Sequence, residues 1–182
     1  MDVWEAIEKR RTTRAFRGVV PKELLRKIIR AGSRAPSGRN TQPWEFIIVN
    51  DPGIIDQIAE QKYQQNRKIG TEEAAARQRN VYRDSSVVAV CCQRGGMSPI
   101  AGWLATQNMA LAATAEGLAG VTSTLRDEQK ATAEKLLGLP ADYELVTMMV
   151  IGVPVSIPRE REEGVERPDF SWLHVNRFGN AS

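Results

Sequence analysis

RRTTRAF (Arg10 to Phe16) and APSGRNTQPWEFIIV (Ala35 to Val49) are the two stretches from which the fold is read. In the first, three arginines and two threonines follow a short apolar stripe, placing forked guanidinium donors and hydroxyls where they can meet a phosphate. The same basic run also complements the dipole of a preceding helix, so the stretch alone carries two readings. In the second, Pro36, Gly38 and Pro43 shape a loop that carries Ser37, Asn40, Thr41 and Gln42. That loop reads either as a binding loop or as a plain surface turn. It runs into Trp44 to Val49, whose aromatic and β-branched residues predict a strand.

Upstream, Asp2 and Glu5 have capping-box spacing, and Val3, Trp4 and Ile7 give the apolar stripe of a short helix. Between the two motifs, Pro21 opens a second helix with Leu24, Leu25, Ile28 and Ile29 on one face and Gly32 as its stop. Downstream, Asp51-Pro52 starts a third helix carrying Ile54, Ile55 and Ile58. The chain then turns polar from Tyr63 to Arg83, where composition favours helix but offers a weak apolar face: a solvated helix pair or a flap over a site.

Ser86 to Cys92 reads as a buried strand, and Ser98-Pro99 caps a helix reaching Gly117 that is apolar or small nearly all round. Val121 to Leu125 predicts a short strand, Asp127 to Leu137 a helix, and Leu145 to Val153 a continuous apolar strand. The interleaving predicts an α+β domain, a mixed β-sheet surrounded by helices, with residues 1–182 as a single domain. Pro154 to Ser182 lacks a helical period yet keeps Phe170, Trp172, Leu173 and Phe178, as expected of a C-terminal extension that packs on a partner subunit.

The bulk numbers narrow the function classes. A chain of 182 residues with 42% apolar content can bury a substantial core. Its 25 basic and 22 acidic side chains, net +3, are spread along the sequence rather than gathered in the stripe expected of a nucleic-acid reader, so no nucleic-acid partner is expected. Cys91 and Cys92 are adjacent in an apolar run and point to opposite faces of a strand, which suits two core residues better than a bridge. With a single histidine, His174, no metal site is expected, and the histidine reads as a surface or interface residue. No apolar stretch approaches the roughly 20 residues of a membrane helix, and the acidic N-terminus lacks a signal pattern. A cytoplasmic protein without membrane contact is expected.

The two motifs, at their spacing, resemble the N-terminal third of nitroreductase-superfamily flavoproteins. The likeness extends through Gln107-Asn108 and Val121 to Leu125 to Arg167-Pro168. It implies a homodimer holding FMN at the subunit interface. Arg10, Arg11, Thr12 and Arg167 would surround the phosphate and ribityl chain, and Arg14 would approach the pyrimidine edge of the ring. Pro36, Ser37, Gly38 and Asn40 would reach flavin held mainly by the other subunit. VTSTL resembles the threonine-rich segment of the iodotyrosine deiodinase-like branch, which places Thr122, Ser123 and Thr124 near flavin N5, with Thr124 as the candidate catalytic contact. Glu60, Lys62 and Tyr63 do not fall in the spacing of that branch's substrate lid.

The activity so implied is FMN-dependent reduction of nitroaromatic, quinone or related organic acceptors with NADH or NADPH, in a ping-pong cycle. Two alternatives stay open at this point: reductive dehalogenation in one-electron steps, and an FMN-binding or storage protein without turnover.

Overall fold

The structure, a computed structural model, describes residues 1–156 and 172–179. Its first helix, α1 (Val3–Lys9), starts on the expected capping box: Glu5 N–H donates to Asp2 at 2.9 Å and Asp2 N–H donates to Glu5 at 3.1 Å. Helix α2 (Lys22–Gly32) begins one residue later than Pro21, whose extended ψ of 139° makes it the cap rather than the first helical residue. After β1 (Trp44–Val49) comes α3 (Pro52–Arg67), whose first amides are taken by the Asp51 carboxylate. The polar region resolves into a helix pair, the end of α3 and α4 (Glu72–Asn80), packed on each other.

Strand β2 (Ser86–Gln93) leads to α5 (Ser98–Ala115), then β3 (Ala119–Ser123), α6 (Asp127–Leu136) and β4 (Tyr143–Gly152). The cap of α5 is Met97, without a side-chain bond, so Ser98 is the first helical residue rather than the cap. Strand β3 starts two residues before the expected Val121, because Ala119 and Gly120 pair with Gly152 and Ile151 of the longer β4. Thr124 and Leu125 therefore lie past the strand's end.

The sheet has the order β1-β2-β4-β3, with all three pairings antiparallel; the parallel partner is an isolated bridge between Thr12 and Gly120. One residue of β4, Val146, is extra: Val90 faces Thr147 while Cys91 already faces Leu145. Such a bulge bends the strand and sharpens its twist.

Both faces of the sheet are covered. On one, Val87, Ala89, Cys91, Met148 and Val150 pack with Ile58 and Ala59 of α3, Val81, and Ala133 of α6. On the other, Val88, Val90, Met149 and Ile151 pack with Leu25 and Ile28 of α2 and with Met109 and Ala113 of α5. The two cysteines divide as expected, Cys91 to the first core and Cys92 to a satellite cluster with Trp44 and Ala105. Burial pushes their thiols up to about 12 and about 11, which keeps both protonated near neutrality. Each fully buried Val, Leu, Ile or Met side chain contributes about 1.5–3 kcal/mol, so these two layers dominate the fold.

Two glycines set the distances on which the site depends. A Cβ at Gly102 would lie 2.9 Å from Cys92 Sγ and 3.0 Å from Val146 Cγ2, so α5 rests directly on the sheet only because that atom is missing. A Cβ at Gly120 would lie 2.6 Å from Met149 Cε and 2.9 Å from the Val150 carbonyl oxygen.

Candidate functional site

The RRTTRAF stretch runs beside β3. Thr12 bridges Gly120, Thr13 N–H donates to the Gly120 carbonyl at 3.2 Å, and Phe16 is buried against Pro154 past the end of β4. This leaves a cleft of about 250 Å³ between Arg10 and Thr12 on one wall, Gly120, Val121 and Thr122 on the floor, and Trp103, Thr106, Gln107 and Ala110 of α5 on the other wall. Helical spacing brings Trp103, Thr106, Gln107 and Ala110 to one face of α5, and strand alternation turns Gly120 and Thr122 toward it.

Three predicted residues, Arg10, Thr12 and Thr122, thus meet in one cleft. Arg11 does something different: its Nη1 donates to the carbonyls of Glu8 and Arg10, holding the last turn of α1, while its Nε is buried without a partner. The Thr13 hydroxyl is likewise buried and unpartnered. Arg10, Arg11 and Arg14 form no ion pair among the described residues. Arg167 lies outside the described residues.

The threonine-rich segment splits by strand parity. Thr122 is exposed in the cleft, whereas the Ser123 hydroxyl accepts from buried Tyr82 at 2.9 Å. Burial pushes the Tyr82 hydroxyl up to about 12, so it remains a donor. Thr124, beyond the strand, has its hydroxyl 3.1 Å from that of Thr147, and its carbonyl accepts from Lys62 at 2.8 Å and Gln65 at 3.1 Å.

The second motif forms a tight turn. Ser37 Oγ accepts from Gln42 N–H at 3.0 Å, and Arg39, Asn40 and Gln42 all have positive φ, at 53°, 55° and 48°. Pro36, Gly38 and Asn40 are exposed, and Gly38 lines a different cleft of about 330 Å³ with Pro43, Gly95, Gly96 and the start of α5. Within the single chain the two motifs therefore open into separate clefts.

Lys62, weighed from the sequence only as a substrate-lid residue, and Gln65, not singled out there, both reach the threonine-rich segment. Lys62 is only 9% exposed, and Gln65 also accepts the Arg126 N–H at 2.6 Å through its side-chain oxygen. Burial lowers the pKa of Lys62, and the neighbouring charges of Arg126 and Arg14 lower it further. The signal was present: Ile58, Lys62 and Gln65 stand at i, i+4 and i+7, which puts them on the inner face of α3.

A larger cleft of about 890 Å³, between α2, α3 and the start of β2, touches none of the predicted residues. His174 packs its ring on Phe178 at 4.4 Å between centroids, away from the cleft's lining. Among the described residues no three potential ligands gather as a metal site, and no helix is long and apolar enough to cross a membrane.

The chain is 27% identical, over 89% of its length and 82% of the relative's, to a Methanothermobacter thermautotrophicus protein provisionally named NADH dehydrogenase/NAD(P)H nitroreductase. It is 28% identical to an iodotyrosine deiodinase of Thermotoga neapolitana, covering 84% of this chain and 88% of that one. Its fold superposes on a Desulfovibrio desulfuricans structure, provisionally named a nitroreductase and solved with FMN, with a TM-score of 0.78 and 27% identity, covering 98% of both chains. The nitroreductase family model matches residues 7–95 and 98–153, which take in the Arg10 stretch, the Pro36 loop, α5 and all four strands, and the chain belongs to the nitroreductase family.

Proposed function

We propose that the protein is an FMN-dependent oxidoreductase that accepts electrons from NADH or NADPH and passes them to nitroaromatic, quinone or related organic acceptors. The observation that carries this reading is a set of cations along β3, Arg10 in the cleft over Gly120 to Thr122 and Arg14, Lys62 and Arg126 near one another by the strand's end, with no carboxylate paired to any of them among the described residues. A phosphate with a ring that gains negative charge on reduction is a ligand such a site suits. The unpartnered Thr13 hydroxyl and Arg11 Nε fit the same expectation of an anionic ligand.

In this reading Arg10 and Thr12 hold the phosphate and ribityl chain together with Arg167, and Arg11 adds charge while fixing the turn that presents Arg10. Arg14 faces the pyrimidine edge, where a fixed cation favours reduction. Thr122 and Thr124 offer hydroxyls and amides toward N5; Ser123, its hydroxyl committed to Tyr82, offers backbone. FMN, when bound, supplies the redox chemistry that no side chain here can.

A second copy of the chain completes the site. One protomer's cleft of about 250 Å³ falls below the roughly 300 Å³ at which ligand pockets begin. Beside it lies an uncovered apolar surface formed by Val3, Trp4 and Ile7 of α1 with Ile100, Trp103 and Leu104 of α5. Pairing through that surface would let Pro36, Ser37, Gly38 and Asn40 of one subunit approach the flavin of the other. The exposed Trp172 and Phe178 belong to the extension we assign to the partner's surface. Two buried free thiols suit the cytoplasm, the compartment we propose.

The test is an absorbance spectrum of the FMN-loaded protein, repeated anaerobically after adding NADH or NADPH. Bleaching of the flavin bands is expected; bands that persist with either donor reject the donor, and failure to bind FMN rejects the reading. The VTSTL segment and the similarity to a deiodinase favour one second reading, reductive dehalogenation. It predicts one-electron rather than two-electron steps in potentiometric titration with a halogenated phenol bound.

A further inference from the structure

Lys62 stands apart from the other charges of its helix. Glu60 meets Arg79, Arg67 meets Glu72 and Lys68 meets Glu128, all on the surface. Lys62 alone on α3 is turned inward, reaches 9% exposure, and ends on a neutral carbonyl, that of Thr124, at 2.8 Å. No carboxylate pairs with it among the described residues, and its nearest charges, Arg126 and Arg14, repel it. An ammonium buried in that way weakens the fold unless something compensates. The hydrogen bond does not require it, because Gln65 already donates to the same carbonyl at 3.1 Å. A neutral side chain of similar length would pack as well, so the charge answers to something else.

We propose that Lys62 is a positioning residue of the redox site, held on the Thr124 carbonyl and keeping positive potential beside Arg14 at the end where the cofactor's ring is reduced. The proposal rests on the FMN reading. Lys62 acts through its charge, which the bond to the Thr124 carbonyl holds in place and which favours the negative charge that reduction places on the ring's pyrimidine edge. Arg14 reaches this end from the N-terminal stretch and Lys62 from α3, so the two cations belong to separate elements whose packing sets their spacing.

The experiment uses Lys62→Met and Lys62→Arg in the full chain. Thermal unfolding of the cofactor-free protein is followed first, and the potential of bound FMN is then measured against reference dyes. Lys62→Met is expected to unfold no earlier than the wild type, since a desolvated charge is removed, while its flavin becomes harder to reduce. The expected shift is at least tenfold in the oxidised-to-reduced ratio at fixed poise, ~30 mV for a two-electron couple. Lys62→Arg keeps the ratio within about threefold by retaining the charge.

An unchanged potential in Lys62→Met overturns the proposal whatever its stability. A potential lowered equally in Lys62→Arg also overturns it, because the effect would then follow shape and not charge. Wild-type protein that takes up no FMN overturns the functional reading and this inference together; FMN uptake with an unaltered Lys62→Met potential overturns this inference alone.

Discussion

The packed core of the sheet and the outer surface of the α3–α4 pair are built by different means. On the side of α2 and α5, Met109, Ile28, Val88 and Ile151 interlock with none of their surface exposed or nearly so, and Gly102 lets the helix lie on the strands. On the side of α3 and α4, the inner turns carry Ile58, Ala59 and Ala75, but the outer surface is held by exposed pairs such as Arg67–Glu72 and Lys68–Glu128. Dry interlocking fixes positions to fractions of an ångström, while exposed pairs are worth little and yield easily. The cleft has α5 as one wall, and the α3 side meets the Thr124 carbonyl, past the end of β3, through Lys62 and Gln65.

The contrast can be broken most directly at Met109. Met109→Ala removes a fully buried side chain between α2, α5 and the sheet, and a loss of about 2–5 kcal/mol is expected in urea unfolding. A smaller loss, below 1 kcal/mol, would mean that this core is as yielding as the outer surface. Tyr82→Phe sharpens the comparison at the boundary, where the buried hydroxyl bonds Ser123; removing it should cost about 0.5–1.5 kcal/mol in the same assay. The smallest effect belongs to the outer surface. A double-mutant cycle on Lys68 and Glu128, whose side chains are 58% and 70% exposed, should return a coupling of about 0–1 kcal/mol that fades with added salt.

Most of the fold was legible because its signals are local. The Asp2 capping box, the β-branched run at Trp44 to Val49 and the apolar turns of α5 each name their element without help from distant residues. What was missed depends on partners far along the chain. Strand β3 slid two residues toward its N-terminus because β4 offers pairing there, and no feature of Ala119 or Gly120 announces it. That Arg10, Thr12 and Thr122 come together in one cleft is in keeping with their grouping in the motifs. That the Arg11 guanidinium turns back onto α1 was not legible, since it is set by two carbonyls of the kind that every helix end exposes. Lys62 was weighed only against the spacing of a substrate lid, which it does not match; its i+4 relation to Ile58 is what marks it as inward. The Val3, Trp4 and Ile7 stripe was read correctly as apolar, yet it faces outward, which periodicity alone does not reveal.

The extra residue in β4 makes parity a property of the gene as well as of the strand. Because Val146 has no partner on β2, Leu145 stays opposite Cys91 in one core and Val146 joins the cluster of Cys92 on the other side, while Thr147 arrives opposite Val90 with its hydroxyl 3.1 Å from that of Thr124. Losing Val146 alone would leave Thr147 opposite Val90 and Leu145 opposite Cys91 in uninterrupted alternation, every side chain on its present side, whereas losing two residues there would move Tyr143 to Leu145 one step along β2 and exchange their sides. A single-residue deletion at the bulge should therefore be tolerated among descendants of this sequence, and a two-residue deletion should be accompanied by replacement of the apolar residues between Tyr143 and Leu145.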